Sequence, residues 1–238
     1  MSEPIRINKY IAMAGVCSRR DADKLIEEGK VTLNGRVAVC GDKVSENDSV
    51  KVGSKLVKAC EDKVILAYYK PVGVTCTERD AHAEVMVSDL VRYKDYRLTY
   101  AGRLDKDSEG LLIMTNDGDL IHEMMQAANA HEKEYLVTIN KPVTEELVNS
   151  LSKGVFIKEF NRKTRPCKVK KTGPNTFSIV LTEGMNREIR RMCEAFDVKV
   201  TVLKRVRILT VTLNGLKTGE YRVLSDEEIA KLYEALGR

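Results

Sequence analysis

Residues 101–120 read AGRLDKDSEGLLIMTNDGDL, with four aspartates, three glycines and one arginine around a dense apolar run. Asp105, Asp107, Glu109 and Gly110 fall at the first, third, fifth and sixth positions of a calcium-loop pattern. Such a loop needs a bidentate Glu at its twelfth position, and counting from Asp105 that position is Asn116. Its second half, LLIMT, reads as a buried strand, and flanking helices are missing. Calcium binding is therefore rejected. A glycosidase needs two carboxylates at a set separation, and sequence does not show whether Asp107 faces the same site as Asp105. On the residues alone, the stretch is a polar turn entering a core strand or the seat of one working carboxylate.

Around this strand lie others of the same character. VILAYY (64–69), RLTYA (97–101), EYLVTI (134–139), CKVKK (167–171), TFSIVLT (176–182) and RILTVTL (207–213) all favour strand. Gly173-Pro174-Asn175 marks a hairpin turn. Helical patterns cover 119–128, 144–152, 186–196 and 226–236, the last opened by a Ser225/Glu228 capping box. In 186–196, Ile189, Met192, Cys193 and Phe196 fall on one face and Arg187, Arg190 and Arg191 on the other. Strands joined directly, with helices interspersed, predict an α+β domain on a mixed, mostly antiparallel sheet.

The first 58 residues read as a separate small unit. A short helical pattern over 7–14 ends at Gly15. Ser18 caps a second helix, RRDADKLIEEGK, with Asp21 as its reciprocal partner, Ala22, Leu25 and Ile26 as its buried stripe and Gly29 at its end. VTLNGRVAV follows as a hairpin turning at Asn34-Gly35. Lys9 on the first helix and Arg19, Arg20 and Lys24 on the second lie near a helix N-terminus, an arrangement that favours phosphate. The same cations also read as a solvated basic face. The expected division is 1–58, a short polar connection at 59–63, and a second domain over 64–238.

Composition narrows the class. Of 238 residues, 43% are hydrophobic and 32% charged, so the chain folds as a soluble globular protein. No apolar run nears the roughly 20 residues of a membrane helix, and MSEPIRINKY lacks a signal-peptide core; a cytoplasmic location is expected. Six cysteines and three histidines are scattered without a CxxC pair, which argues against a zinc site and leaves the cysteines as buried thiols. A net charge of +5 permits a nucleic-acid partner without demanding one.

Five motifs, taken together, carry a resemblance over nearly the whole chain. KPVG (70–73), GRLDKDSEGLLIMTNDG (102–118), HEKEYLVT (131–138) and EGMNREIRRMCEAF (183–196) resemble, in that order, the motifs of pseudouridine synthases of the RsuA and RluB/E/F branch. INKYIAMAGVCSRRDADKLIEEGKVTLNGR resembles the S4 RNA-binding module that this branch carries at its N-terminus. HEKEYLVT, CKVKK and GMNREIRRMCE look closest to the RluF subgroup, which acts on 23S ribosomal RNA. Tyr69 stands where many relatives have Asn, so no role is carried to that side chain.

What the resemblance implies is an isomerase that breaks the N1–C1′ bond of a flipped-out uridine, turns the uracil and joins C5 to C1′. Neither cofactor nor metal is implied. Asp105 is the working carboxylate, through attack on C1′, removal of the 2′ hydrogen or addition to the base. Tyr135 stacks on the uracil, and Arg190 is the cation that orients Asp105. Arg103 enters the space the nucleotide vacates. Lys9, Arg19, Arg20 and Lys24 would grip a structured stem-loop in 23S rRNA or a tRNA, and the default state is a monomer with no membrane partner. The competing readings are an S4 protein with a catalytically silent domain, a synthase acting on 16S rRNA or tRNA, and a glycosidase or metal-dependent hydrolase.

Overall fold

A computed structural model describes residues 3–77, 85–126 and 130–238. The chain forms two compact units, one holding Met1–Val64 with Arg92–Leu98 and Asn116–Gly118, the other the remainder.

In the first unit, β1 (Ile5–Arg6) leads into α1 (Ile7–Met13), and α2 (Arg19–Glu27) follows. Ser18 caps α2 as its sequence requires, with the Asp21 amide donating to Ser18 Oγ and Ser18 Oγ donating to the Asp21 carboxylate. Ala22 and Ile26 are buried and Leu25 is half-buried. Strands β2 (Val31–Leu33) and β3 (Arg36–Val37) form the expected hairpin. Asn34 and Gly35 both have positive φ, 53° and 83°, as the tight turn demands. Next come β4 (Lys43–Val44), β5 (Val50–Val52) and β6 (Lys55–Val57), giving a four-stranded sheet ordered β3-β2-β5-β6 and a β1–β4 pair. Residues 59–63 are irregular but tied down. The Cys60 amide donates to Met13 O at 3.2 Å, Asn116 Nδ2 to Asp62 O at 2.7 Å, and Lys63 pairs with Asp117 at 2.8 Å.

The second unit runs β7 (Ile65–Lys70), α3 (Val87–Leu90), β8 (Thr99–Ala101), β9 (Glu109–Thr115), α4 (Gly118–Met125), β10 (Lys133–Ile139), α5 (Glu145–Ser152), β11 (Phe156–Ile157), β12 (Arg162–Lys163), β13 (Lys168–Gly173), β14 (Thr176–Leu181), α6 (Glu188–Glu194), β15 (Val200–Ile208), β16 (Val211–Thr212), β17 (Tyr221–Val223) and α7 (Asp226–Leu236). Its main sheet is ordered β13-β14-β10-β15-β9-β7-β17, with β16 beside β15 and β8 beside β9. The β9–β15 pairing is parallel and the others are antiparallel, so the α+β expectation of a mixed, mostly antiparallel sheet holds.

Strand chemistry explains the order. β7 is buried along its whole length and β9 from Gly110 onward, so both are central, covered on two faces and almost continuously apolar. β14 alternates, placing Phe177, Ile179 and Leu181 inward. β13, at one end of the order, carries Lys168, Lys170 and Lys171 exposed, which discourages pairing with another chain. Two cores result. α5 and α6 pack on β10, β14 and β15; α4 and α7 pack on β7 and β9.

Three expectations need correction. The strand expected over 207–213 is the end of β15 and the short return strand β16, turning where Leu209 takes φ 50°. The helix expected over 186–196 is confined to Glu188–Glu194, because Arg187 takes the left-handed conformation (φ 52°, ψ 34°) as its N-cap. Its faces also differ from expectation: Arg190 is 7% exposed and Phe196 is 40% exposed. Of the helix expected over 119–128, residues 127 and 128 lie outside the described residues. Helices 144–152 and 226–236 form with their caps, Thr144 accepting from the Leu147 amide and Ser225 exchanging bonds with Glu228.

Candidate active site

The parallel β9–β15 junction is where the site is built. Gly110 has φ 110°, and a Cβ there would collide with the Arg205 backbone, so only glycine lets the two strands meet. Just before Gly110, the chain turns through 105–108, with the Ser108 amide donating to Asp105 O at 3.1 Å and the Gly73 amide to Lys106 O at 2.8 Å. The stretch that sequence left open is thus a polar turn feeding a core strand, and it also borders a cleft of about 550 Å³. Asp105, Arg103, Lys133, Tyr135, Arg187 and Arg205 are among the lining residues.

Asp105 keeps about a third of its side chain exposed (33%). Arg187 Nη1 lies 3.9 Å from Asp105 Oδ2. The same guanidinium is bidentate to Asp107, at 3.0 and 2.9 Å, and its hydrogen bonds hold the Asp107 carboxyl below the usual carboxylate range. The expected pairing of Arg190 with Asp105 is not the one formed. Arg190, in the first turn of α6, is buried, donating to Val200 O at 3.1 Å and Asp107 O at 2.8 Å, with its Nε 3.4 Å from Asp107 Oδ2. The physical reason is the left-handed turn at Arg187, which takes that residue out of the helix and sends its side chain, not that of Arg190, to Asp105.

Tyr135 lies on β10, opposite Arg205 on β15, where the register shifts between Glu134 and Tyr135. Such an irregularity re-aims a side chain, and Tyr135 is packed partly against the core while lining the cleft. Lys133, two residues earlier, donates to His131 O at 3.1 Å. Burial, then the nearby Arg205, pulls its ammonium below the usual lysine range. Arg205 is 2% exposed and donates to Leu111 O at 2.7 Å and Arg103 O at 3.2 Å. Lys70 of the KPVG stretch is fully buried, its ammonium donating to Pro71 O and Val74 O. It therefore braces the 70–74 turn from within. Lys133, Arg187 and Arg205 together make the cleft wall cationic, which suits a polyanion.

Residues 64–195 match the RNA pseudouridylate synthase family, and residues 5–50 match the S4 domain. The chain belongs to the RNA pseudouridylate synthase family. It is 47% identical to the dual-specificity RNA pseudouridine synthase RluF of Escherichia coli strain K12, over 98% of this chain and 79% of that protein. The ribosomal large subunit pseudouridine synthase B of Bacillus subtilis strain 168 is 36% identical over 95% of each chain. A crystal structure of a pseudouridylate synthase superposes with a TM-score of 0.70 at 29% identity, covering 96% of this chain and 99% of the other. This synthase is accordingly an RNA uridine isomerase of the RluF/RluB type with an S4 domain at its N-terminus.

In the synthase's S4 domain, Arg19, Arg20 and Lys24 are exposed on α2 and Lys9 is half-buried on α1. Arg103 is exposed beside the cleft. Sequence reasoning named Asp107 and Arg187 without giving them a place in the site, and passed over Lys133 and Arg205. The alternation Asp105-x-Asp107 and the alternation Lys133-x-Tyr135 are the signals that could have found two of them. Among the described residues, no helix is long and apolar enough to cross a membrane, and no cluster of three or more His, Cys, Asp or Glu could hold a metal.

Proposed function

We propose that the synthase isomerises a specific uridine of 23S ribosomal RNA, with Asp105 as its one working carboxylate. The observation that carries this reading is the convergence of Asp105, Tyr135 and Arg103 on one cationic cleft. N1–C1′ breaks, C5–C1′ forms, C5 loses a proton and N1 gains one, so the reaction balances without an external acceptor. Tyr135 stacks on the uracil, and Arg103 takes the vacated place in the RNA, offsetting part of the few kcal/mol that flipping costs. Arg187 compensates the charge of Asp105. Arg190 acts as a positioning residue, through the Asp107 carbonyl. The large-subunit name of the Bacillus relative supports 23S rRNA as the target. A second RNA target, 16S rRNA or tRNA, is the alternative, favoured by the dual specificity in the name of the Escherichia relative. Mapping pseudouridine across 23S rRNA, 16S rRNA and tRNA, in cells with and without the synthase, tests this. Loss confined to 16S rRNA or tRNA would overturn the 23S assignment.

Residues 1–58 are proposed as the RNA-gripping module and 64–238 as the catalytic domain. Replacing Arg19, Arg20 and Lys24 by Ala is expected to weaken RNA binding and flatten its dependence on salt, by a log–log slope of roughly 2 at about 0.7–0.9 per lost phosphate contact. The single-turnover rate at saturating RNA should change little, because contacts remote from the sugar bind substrate and transition state alike. Titrations of both proteins at several salt concentrations measure the slope; an unchanged slope removes these cations from the RNA contact.

A further inference from the structure

Glu188, the first residue of α6, is 4% exposed, which is an unusual place for a carboxyl. Its Oε2 accepts from the Met185 amide at 3.0 Å, and the Glu188 amide returns a bond to Met185 O at 3.2 Å. Its Oε1 is buried and receives no donor. Across the turn Glu188 interacts with a second carboxyl, that of Glu183. Glu183 is itself filled by donors, the Arg165 amide on Oε1 at 2.6 Å and the Arg162 guanidinium on Oε2. Two interacting carboxyls, one of them buried, favour sharing a proton over both ionising.

The turn these two residues close is 183–188, and it carries Arg187. We propose that Glu188 is a positioning residue that works in its protonated form, donating from Oε1 to the Glu183 carboxylate and so fixing the turn that presents Arg187 to Asp105 and Asp107. This rests on the reading in which Arg187 serves Asp105. Burial first, and Glu183 with it, raises the Glu188 carboxyl to about 7, against a weaker opposing pull from its bond to the Met185 amide and from Arg162. The other titratable groups facing it are Lys133 on β10 and the Cys167 thiol; Arg187 and Arg191 belong to its own turn and helix.

The sign follows from proton binding. Between the ordinary glutamate value near 4.5 and about 7, the folded protein holds a proton that the unfolded chain releases. Stability therefore falls as pH rises through that window, and above it an ionised Glu188 faces Glu183 and loosens the turn.

The test compares wild type with Glu188→Gln, whose amide donates to Glu183 at every pH. Single-turnover rates at saturating RNA are measured from about pH 6 to pH 9, with the melting temperature of each protein over about pH 5 to pH 8. The wild-type rate is expected to fall by up to about tenfold per pH unit above the Glu188 pKa. Glu188→Gln should match wild type at about pH 6 and lack that limb, and its melting temperature should gain on wild type as pH rises. Lys70 titrates in both proteins and cancels in the comparison, whereas losing the Glu188 charge lowers Lys133 further in the variant, so a limb due to Lys133 would move to lower pH in Glu188→Gln instead of vanishing. An alkaline limb identical in both proteins, or a flat wild-type profile, overturns the proposal. Carboxyl NMR of wild type provides a check that does not depend on the variant or on turnover: a Glu188 resonance titrating at the ordinary glutamate value overturns it too. Normal turnover by Arg187→Ala would instead overturn the underlying reading of Arg187, and would do so with the Glu188 titration still in place.

Discussion

Asp105→Asn should lower the single-turnover rate more than about 10³-fold, a loss of roughly 4 kcal/mol of transition-state stabilisation, while RNA affinity changes by less than about twofold. The substitution keeps the shape of the side chain and removes its charge. The turn holding it is fixed by the backbone bonds of Ser108 and Gly73, which the amide leaves alone. Neither the RNA contacts proposed for α2 nor the ring of Tyr135 depends on the Asp105 charge, so binding should survive. The measurement is release of tritium from C5-labelled uridine, paired with a filter-binding titration. Turnover within about tenfold of wild type by a verified mutant would end the assignment. Asp107→Asn is a partial control. Its carboxylate is the bidentate partner of Arg187, so a smaller loss is expected through a misplaced guanidinium, with no change in the chemical role of Asp105.

Arg190→Ala is expected to act on two quantities at once. The side chain is buried and donates to two carbonyls, those of Val200 and Asp107, which ties α6, the start of β15 and the acidic turn together. Removing it leaves those carbonyls without their donor at a cost of about 1–3 kcal/mol each. Urea denaturation should therefore show a loss of at least about 2 kcal/mol, and activity at permissive temperature should fall by about 10²-fold or more as Asp107, Arg187 and Asp105 lose their mutual geometry. Arg187→Ala, by contrast, removes an exposed-edge guanidinium and should lower activity with a stability change of less than about 1 kcal/mol. Two variants alike in both stability and rate would contradict this separation of roles.

Local chemistry was readable wherever one residue type was required by one backbone conformation. Ser18 with Asp21, Ser225 with Glu228, and Asn34-Gly35 each stand where the sequence places them. The strand at 109–115 was legible because a run buried on both faces is apolar throughout. The opening of β15 was not, because VTVLKR mixes cations into a central strand. Arg205 is held there by carbonyls 94 and 102 residues away, at Leu111 and Arg103. The Arg187–Arg190 exchange was lost for a different reason. A helical wheel assumes that the helix includes residues 186 and 187, and a single left-handed residue at 187 voids it. Periodicity also cannot distinguish a buried Lys70 or Glu188 from a solvated one, since the partners are set by the tertiary fold.

The most direct test is incubation of the purified synthase with a 23S rRNA transcript carrying tritium at C5 of its uridines, followed by mapping of the product RNA. The expected result is release approaching one tritium per RNA, with one new pseudouridine in an otherwise intact strand and no free base in solution. Free uracil with an abasic site would make the cleft that of a glycosidase. No release, from a protein that still binds the transcript, would make the chain an RNA-binding protein whose Asp105 does no chemistry.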